Sequence, residues 1–227
     1  MRASPEAFRI HPTPPTPNAA VVEGLRGLAT GHISDAAGVV CAVPGVIRPM
    51  HRSGALCGPA LTVQTTAGDN LMVQKAVDLA RPGDVIVVAA GGKLERALVG
   101  EIVSRHAAAR GVAGFVVDGA IRDLDFIETA DLPIYARGVS ARGPSRLGPG
   151  TINAPVTLGE VIVHPGDIIV GDRDGIVCVP SAMAVAVAEA ARALAEREQG
   201  FLKAIDRGSL DRAWVDETMR RNGCVMD

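Results

Sequence analysis

The chain has 227 residues, 48% of them hydrophobic and 21% charged, with a formal net charge of −2. A chain this apolar and weakly charged folds rather than staying disordered, and its balanced charge leaves no footprint for nucleic acid or an anionic membrane. Six aromatic residues (four Phe, one Tyr, one Trp) offer little for stacking on bases, so the core falls to Ala, Val, Leu and Ile.

Residues 1–20 carry Pro5, Pro12, Pro14, Pro15 and Pro17, which fix φ and remove donors, so this arm is expected to be extended or loosely ordered. It lacks the apolar stretch of a signal peptide, and no run elsewhere approaches the roughly 20 residues of a membrane helix. A helix is expected from Val21 to about Leu28, and a second from Ser34, read as its N-cap ahead of Asp35. Residues 58–65 read as a strand. Asp69 or Asn70 then caps a helix over Leu71–Leu79, with Met72, Lys75, Ala76 and Leu79 at helical spacing.

Two segments echo each other. Arg81-Pro82-Gly83-Asp84 precedes Val85-Ile86-Val87-Val88, and His164-Pro165-Gly166-Asp167 precedes Ile168-Ile169-Val170. Pro then Gly suits the centre of a type II turn, and the β-branched runs that follow read as buried strands. Glu101–Arg110 reads as a helix ended by Gly111, Val112–Val117 as a strand, and Asp123–Ala130 as a short helix. Residues 153–180 are rich in strands and turns, and Ser181 is expected to cap a long Ala-rich helix to about Phe201. The order is α/β without clean alternation, which argues against a simple doubly wound sheet. Cys41, Cys57, Cys178 and Cys224 lie far apart with no CxxC pair, and read as reduced thiols of a cytoplasmic protein. The five histidines are scattered and are expected in solvent or loops.

The chemistry concentrates in Gly100-Glu101 and in Asp118-Gly119-Ala120-Ile121-Arg122-Asp123. Asp118 is expected to end a buried strand, with Arg122 and Asp123 just beyond it, where α/β folds place ligands. Asp118 reads either as a partner of Arg122 or as a plain strand-end residue. Gly100 stands where a helix begins, and free N–H groups there suit a small carboxylate or phosphate. Arginine can hold a carboxylate or carbonyl oxygen through two donors, and aspartate can bind a hard divalent cation. The spacing alone equally allows an ordinary surface ion pair at Arg122 and Asp123. No GxGxxG, GxSxG, HExxH or P-loop occurs. Asp172 and Asp174 in Gly-Asp-Arg-Asp-Gly read as a β-turn.

The sequence resembles the RraA-like proteins, which include metal-dependent 4-hydroxy-4-methyl-2-oxoglutarate and 4-carboxy-4-hydroxy-2-oxoadipate aldolases. The family signature is an acid, twenty residues, then Arg-Asp; here it is Glu101, Ile102 to Ile121, then Arg122-Asp123. Ile33-Ser34-Asp35-Ala36, Gly58 to Val63, Gly68-Asp69-Asn70 and both Pro-Gly-Asp turns match as well, so the resemblance covers roughly residues 20–205. It implies the swivelling three-layer β/β/α fold, with the Pro-rich arm at 1–20, the aldolase-like domain at 21–205 and a tail at 206–227 that matches no family pattern. It implies a class II pyruvate aldolase that cleaves a 4-hydroxy-2-oxo-diacid and decarboxylates oxaloacetate as a side activity. Its cofactor would be Mg²⁺ or Mn²⁺, held directly by Asp123 and through water by Glu101 and by Glu198 of a neighbouring copy. Arg122 would steady the developing enolate, and backbone N–H groups of Gly100, Glu101, Ile102 and Val103 would bind the substrate carboxylate. The assembly would be a homotrimer or hexamer with its site at a subunit interface. Position 101 carries Glu where characterised aldolases of the family usually have Asp. The alternative from the same family is a non-catalytic inhibitor of an endoribonuclease.

Overall fold

The computed structural model describes residue 4 and residues 6–225 of the chain, which divides into two units, residues 1–191 and 192–227. In the first unit the elements are β1 (Phe8–Ile10), α1 (Ala19–Leu25), α2 (Thr30–Ala37), β2 (Arg48–Pro49), β3 (Leu56–Thr65), α3 (Leu71–Leu79), β4 (Val85–Ala89), β5 (Ala97–Val99), α4 (Glu101–Ala109), β6 (Gly114–Ile121), α5 (Leu124–Thr129), β7 (Ile134–Val139), β8 (Gly150–Ile152), β9 (Val156–Leu158), β10 (Val161–Val163), β11 (Ile168–Gly171) and β12 (Ile176–Val179). A 3-10 turn at Ser181–Met183 leads into α6 (Ala184–Asp206), which ends in the second unit; that unit also holds α7 (Ala213–Arg221).

Strands β3, β4, β6 and β7 form a parallel sheet whose register shows why their sequences are apolar throughout. Val63, Val88, Val117 and Ala136 lie in one cross-strand row, and Val87, Val116 and Tyr135 lie in the next. Successive side chains face opposite sides of a sheet, so the two rows feed two cores. The first packs against Met72, Val73, Ala76 and Val77 of α3, Val103 and Ala107 of α4, and Ile127 of α5. The second packs against a β layer: Val156 and Leu158 of β9, Val161 and Val163 of β10, Ile169 of β11 and Cys178 of β12. The other face of β11 and β12 is covered by Leu25 of α1, Ile33 of α2, and Val187, Ala188 and Ala191 of α6. β3 joins the layers, pairing antiparallel with β11 over Leu56–Pro59 and parallel with β4 over Ala60–Gln64. This is the layered α/β arrangement expected, and the sheet is not doubly wound.

The two Pro-Gly-Asp turns are near-copies. The Asp84 carboxylate accepts from the Arg81 N–H and the Asp167 carboxylate from the His164 N–H, both at 2.8 Å. Gly83 and Gly166 take φ of 91° and 89°, which only glycine adopts without strain.

Several boundaries differ from the sequence reading, for reasons of long-range bonding. Ser34 is not an N-cap; α2 starts earlier, and its first N–H, of Thr30, is held by the Asp172 carboxylate at 2.8 Å. Ser181 opens the 3-10 turn without a side-chain cap, its N–H directed instead at Asp167. β6 begins at Gly114, two residues later than the predicted strand, and runs on to Ile121. The Pro-rich segment contributes β1, which pairs in parallel with β8, and Arg81 donates to the Pro14 carbonyl and the Thr16 hydroxyl. His51 is buried rather than in solvent, its ring held against the backbone of Ile134 and edge-on to Tyr135. Cys41, Cys57 and Cys178 are buried free thiols, and burial pushes all three pKa values up, as befits inert core residues. No helix among the described residues is long and apolar enough to cross a membrane.

Candidate active site

The twenty-residue spacing acquires its meaning from strand pairing. β5 lies parallel to β6, with Val99 opposite Ile121. The two strands therefore end side by side, and the Arg122 N–H donates to the Val99 carbonyl at 3.0 Å. One step further on, Gly100 precedes α4, and Asp123 precedes α5 with a left-handed backbone (φ 59°). The Asp123 carboxylate does not cap its own helix α5. Its Oδ2 accepts the Glu101 N–H of α4 at 2.8 Å and lies 3.6 Å from the Arg122 Nε. A Cβ on residue 100 would stand 2.5 Å from that oxygen and 2.9 Å from the Arg122 Cγ, so this close approach requires glycine.

Gly100, Ile102, Val103 and Arg122 line one cavity of about 50 Å³ with Ala97, Leu98, Val99, Asn70, Gln74, Pro144 and Arg146. Most of the expected substrate-binding set is thus brought together. Glu101 is the exception in two respects. Its N–H is already taken by Asp123, and its carboxylate pairs with Arg105 of the same helix at 2.7 Å. Arg105 is in turn stacked 4.5 Å over the Phe126 ring. The first turn of a helix has no intrahelical acceptors for its N–H groups, so Ile102 and Val103 remain as donors to a ligand.

Asp118 has neither of its expected roles. It lies inside β6, opposite Ala89, is 5% exposed and forms an ion pair with Arg137. Glu198 lies on the part of α6 that belongs to the second unit. Arg96 donates to the Gly143 carbonyl at 2.7 Å, bracing the loop that carries Pro144 and Arg146.

That loop is tied to the start of α3 by Asp69. Its carboxylate accepts from Leu71 N–H (3.0 Å), Ser145 hydroxyl (2.9 Å) and Leu147 N–H (2.6 Å). Burial alone would raise the Asp69 pKa, but these donors outweigh it and hold the carboxyl below its ordinary range. Neither Asn70 nor Arg146 is among the expected site residues: Asn70 belongs to the Gly68-Asp69-Asn70 segment that matches the family but reads as a helix cap, and Arg146 belongs to no motif.

Among the described residues no three His, Cys, Asp or Glu side chains cluster as a metal cage. The cation expected here does not need one. Mg²⁺ commonly takes one or two carboxylates and keeps several waters. With Oδ2 engaged by Glu101 N–H, Asp123 has Oδ1 to offer, so the donor set fits that mode.

The family model described as RraA-like (Aldolase/RraA) matches residues 30–178, which include Gly100 to Asp123 but not Glu198. A protein from Halalkalibacterium halodurans, provisionally named a 4-hydroxy-4-methyl-2-oxoglutarate aldolase, is 44% identical over 156 residues, 69% of this chain and 74% of that one. An uncharacterised protein from Pseudomonas syringae pv. tomato superposes with a TM-score of 0.77 at 28% identity, covering 86% of this chain and 96% of that one. The RNA-processing inhibitor RraA from Thermus thermophilis superposes with a TM-score of 0.63 at 29% identity, covering 67% of this chain and 92% of that one.

Proposed function

The chain belongs to the RraA-like family, and from that membership we propose that it is a divalent-metal-dependent carbon–carbon lyase. Its substrate would be a 4-hydroxy-2-oxo-diacid, cleaved to pyruvate and a second oxo-acid, with slower decarboxylation of oxaloacetate. The observation that carries the reading is the meeting of Arg122 with the α4 N-terminus in one cavity.

The Ile102 and Val103 N–H groups would hold the substrate carboxylate. Arg122 would donate to the C2 oxygen, where negative charge gathers as the C3–C4 bond breaks, an electrostatic role that is often the largest in such catalysis. Asp123 would hold Mg²⁺ or Mn²⁺, a Lewis acid that polarises the 2-oxo-acid when bound. Its tie to the Glu101 N–H fixes its position relative to the α4 donors. Glu198 of a neighbouring copy would complete the site in a homotrimer or hexamer.

The test is pyruvate release, followed with a coupled dehydrogenase, from a panel of 4-hydroxy-2-oxo-diacids and from oxaloacetate, with Mg²⁺, with Mn²⁺ and with chelator. Metal-dependent pyruvate from the hydroxylated acids, and more slowly from oxaloacetate, is the expected result. No pyruvate above the chelated background from any of them overturns the proposal. Capture of an endoribonuclease by the inactive protein would then favour the inhibitor role.

A further inference from the structure

Asn70 presents a hydrogen-bonding vacancy that nothing above accounts for. The residue is 2% exposed and lines the cavity beside Arg122 and α4. Three of its four hydrogen-bonding groups are in use. Its backbone N–H donates to the Ser145 carbonyl at 3.0 Å, and its carbonyl accepts from Gln74 N–H at 2.9 Å. Its side-chain Nδ2 donates to the Leu98 carbonyl at 3.0 Å. The Oδ1 is buried with no donor among the described residues. Turning the amide would set oxygen against the Leu98 carbonyl oxygen, so that carbonyl decides which end of the amide is left unmatched. The Asp69 network holds the segment on both sides, so the acceptor is also fixed in place.

We infer that Asn70 Oδ1 is the receptor for a hydroxyl group on the ligand, which makes Asn70 a specificity-determining residue. The inference rests on the proposed lyase reading and sharpens its substrate class. A buried oxygen acceptor repels carboxylates and is satisfied by O–H or N–H donors. In a 4-hydroxy-2-oxo-diacid at neutral pH, both carboxylates and the 2-oxo group are acceptors. The C4 hydroxyl is the single donor, so it is the group Asn70 can take. Bound there, the hydroxyl is oriented for cleavage. The C3–C4 electron pair passes to the pyruvate fragment as its enolate, C4 becomes a carbonyl, the hydroxyl proton passes to solvent water, and the enolate takes up a proton from water at C3 to give pyruvate. A neutral amide is too weak a base to keep that proton. The new carbonyl has no donor for Oδ1, so this hydrogen bond is lost in the product.

Oxaloacetate lacks the hydroxyl and supplies the internal control. Asn70→Ala should lower kcat/KM for the hydroxylated diacid about tenfold or more beyond whatever it costs oxaloacetate decarboxylation. Asn70→Ser, whose shorter side chain reaches neither the Leu98 carbonyl nor the Oδ1 position but leaves a polar group in the buried space, should behave alike if the alanine variant folds poorly. A second readout does not depend on turnover. With chelator in place of metal, so that the metal-dependent cleavage cannot run, calorimetry compares 4-hydroxy-2-oxoglutarate with 2-oxoglutarate, which differ only in the C4 hydroxyl. The wild type should prefer the first about tenfold, and both variants should lose that preference. A parallel fall in both activities, or a binding preference unchanged in the variants, overturns the inference and reduces Asn70 to a structural residue. Wild-type protein that shows the binding preference but releases no pyruvate overturns the lyase reading and leaves the Asn70 assignment standing.

Discussion

Two aspartates stand at the carboxyl ends of the central strands, and they are built in opposite ways. Asp69 follows β3, is 1% exposed, and spends its carboxylate on Leu71, Ser145 and Leu147. Asp123 follows β6, keeps 40% of its side chain exposed, adopts a left-handed backbone, and gives one oxygen to Glu101 N–H. A carboxylate with its lone pairs matched to donors is a structural clamp. A carboxylate with lone pairs to spare, on a backbone conformation that costs about 1 kcal/mol or more, suits the metal-holding role proposed for it. Neither lines the cavity itself: Asp69 holds its wall through the loop that bears Pro144 and Arg146, and Asp123 stands at its rim beside Arg122, where the proposed metal would bind.

The sharpest way to break this division is at the rim. Arg122→Ala and Asp123→Ala should each lower turnover at least ~10²-fold, as removal of an electrostatic stabiliser does. Both side chains are well exposed, and Asp123→Ala forfeits one helix-capping bond, so unfolding free energy should fall by only about 1 kcal/mol. Steady-state kinetics beside urea denaturation separates the two effects. Near-wild-type turnover in both variants would remove the pair from the site.

The wall should respond in the other currency. Asp69→Ala strands two N–H groups and a hydroxyl that are buried or half-buried, at roughly 1 kcal/mol each or more, so a loss of about 3 kcal/mol is expected. Activity should fall as well, because Pro144 and Arg146 are set by the loop that Asp69 anchors. A stability loss below about 1 kcal/mol would show that the clamp is not structural.

What could be read from the chain follows the same line between local and distant causes. The ends of α3 and α4, both Pro-Gly-Asp turns and the buried runs of β4 and β11 are dictated by residues within a few positions of one another, and all are visible in sequence. The bearing of Glu101 on Arg122 was visible only as a spacing, because it depends on β5, a three-residue strand too short to recognise. β1 and β8, three residues each, are illegible for the same reason, and in β7 Arg137 and Gly138 interrupt the apolar run that would mark a buried strand. The start of α2 is not legible in sequence because its cap, Asp172, comes from 142 residues away. Asp118 reads as a strand end or a partner of Arg122 because a charged residue is not expected inside a buried strand, whereas Arg137 of the adjacent strand lets it stay inside β6. Asn70 resembled any helix cap. Its significance lies in one unmatched oxygen, which no pattern of residue types expresses.

The smallest expected effect is the pH dependence of the clamp, and its sign follows from the donors around it. Burial pushes the Asp69 carboxyl up, but the Leu147, Leu71 and Gly148 N–H groups and the Ser145 hydroxyl together outweigh it and hold it below its ordinary range in the folded protein. The unfolded carboxyl titrates near its reference value of about 3.9. A depressed folded pKa means that the unfolded chain binds the proton more readily, so the stabilisation is fully present above about pH 4 and is lost as pH falls through the folded pKa. The stability difference between wild type and Asp69→Asn should therefore be constant from about pH 7 to pH 5 and shrink below about pH 4. Urea midpoints at a series of pH values measure it. A difference that grows on acidification would mean that burial, not hydrogen bonding, governs Asp69, and the wall would then be held by its packing alone.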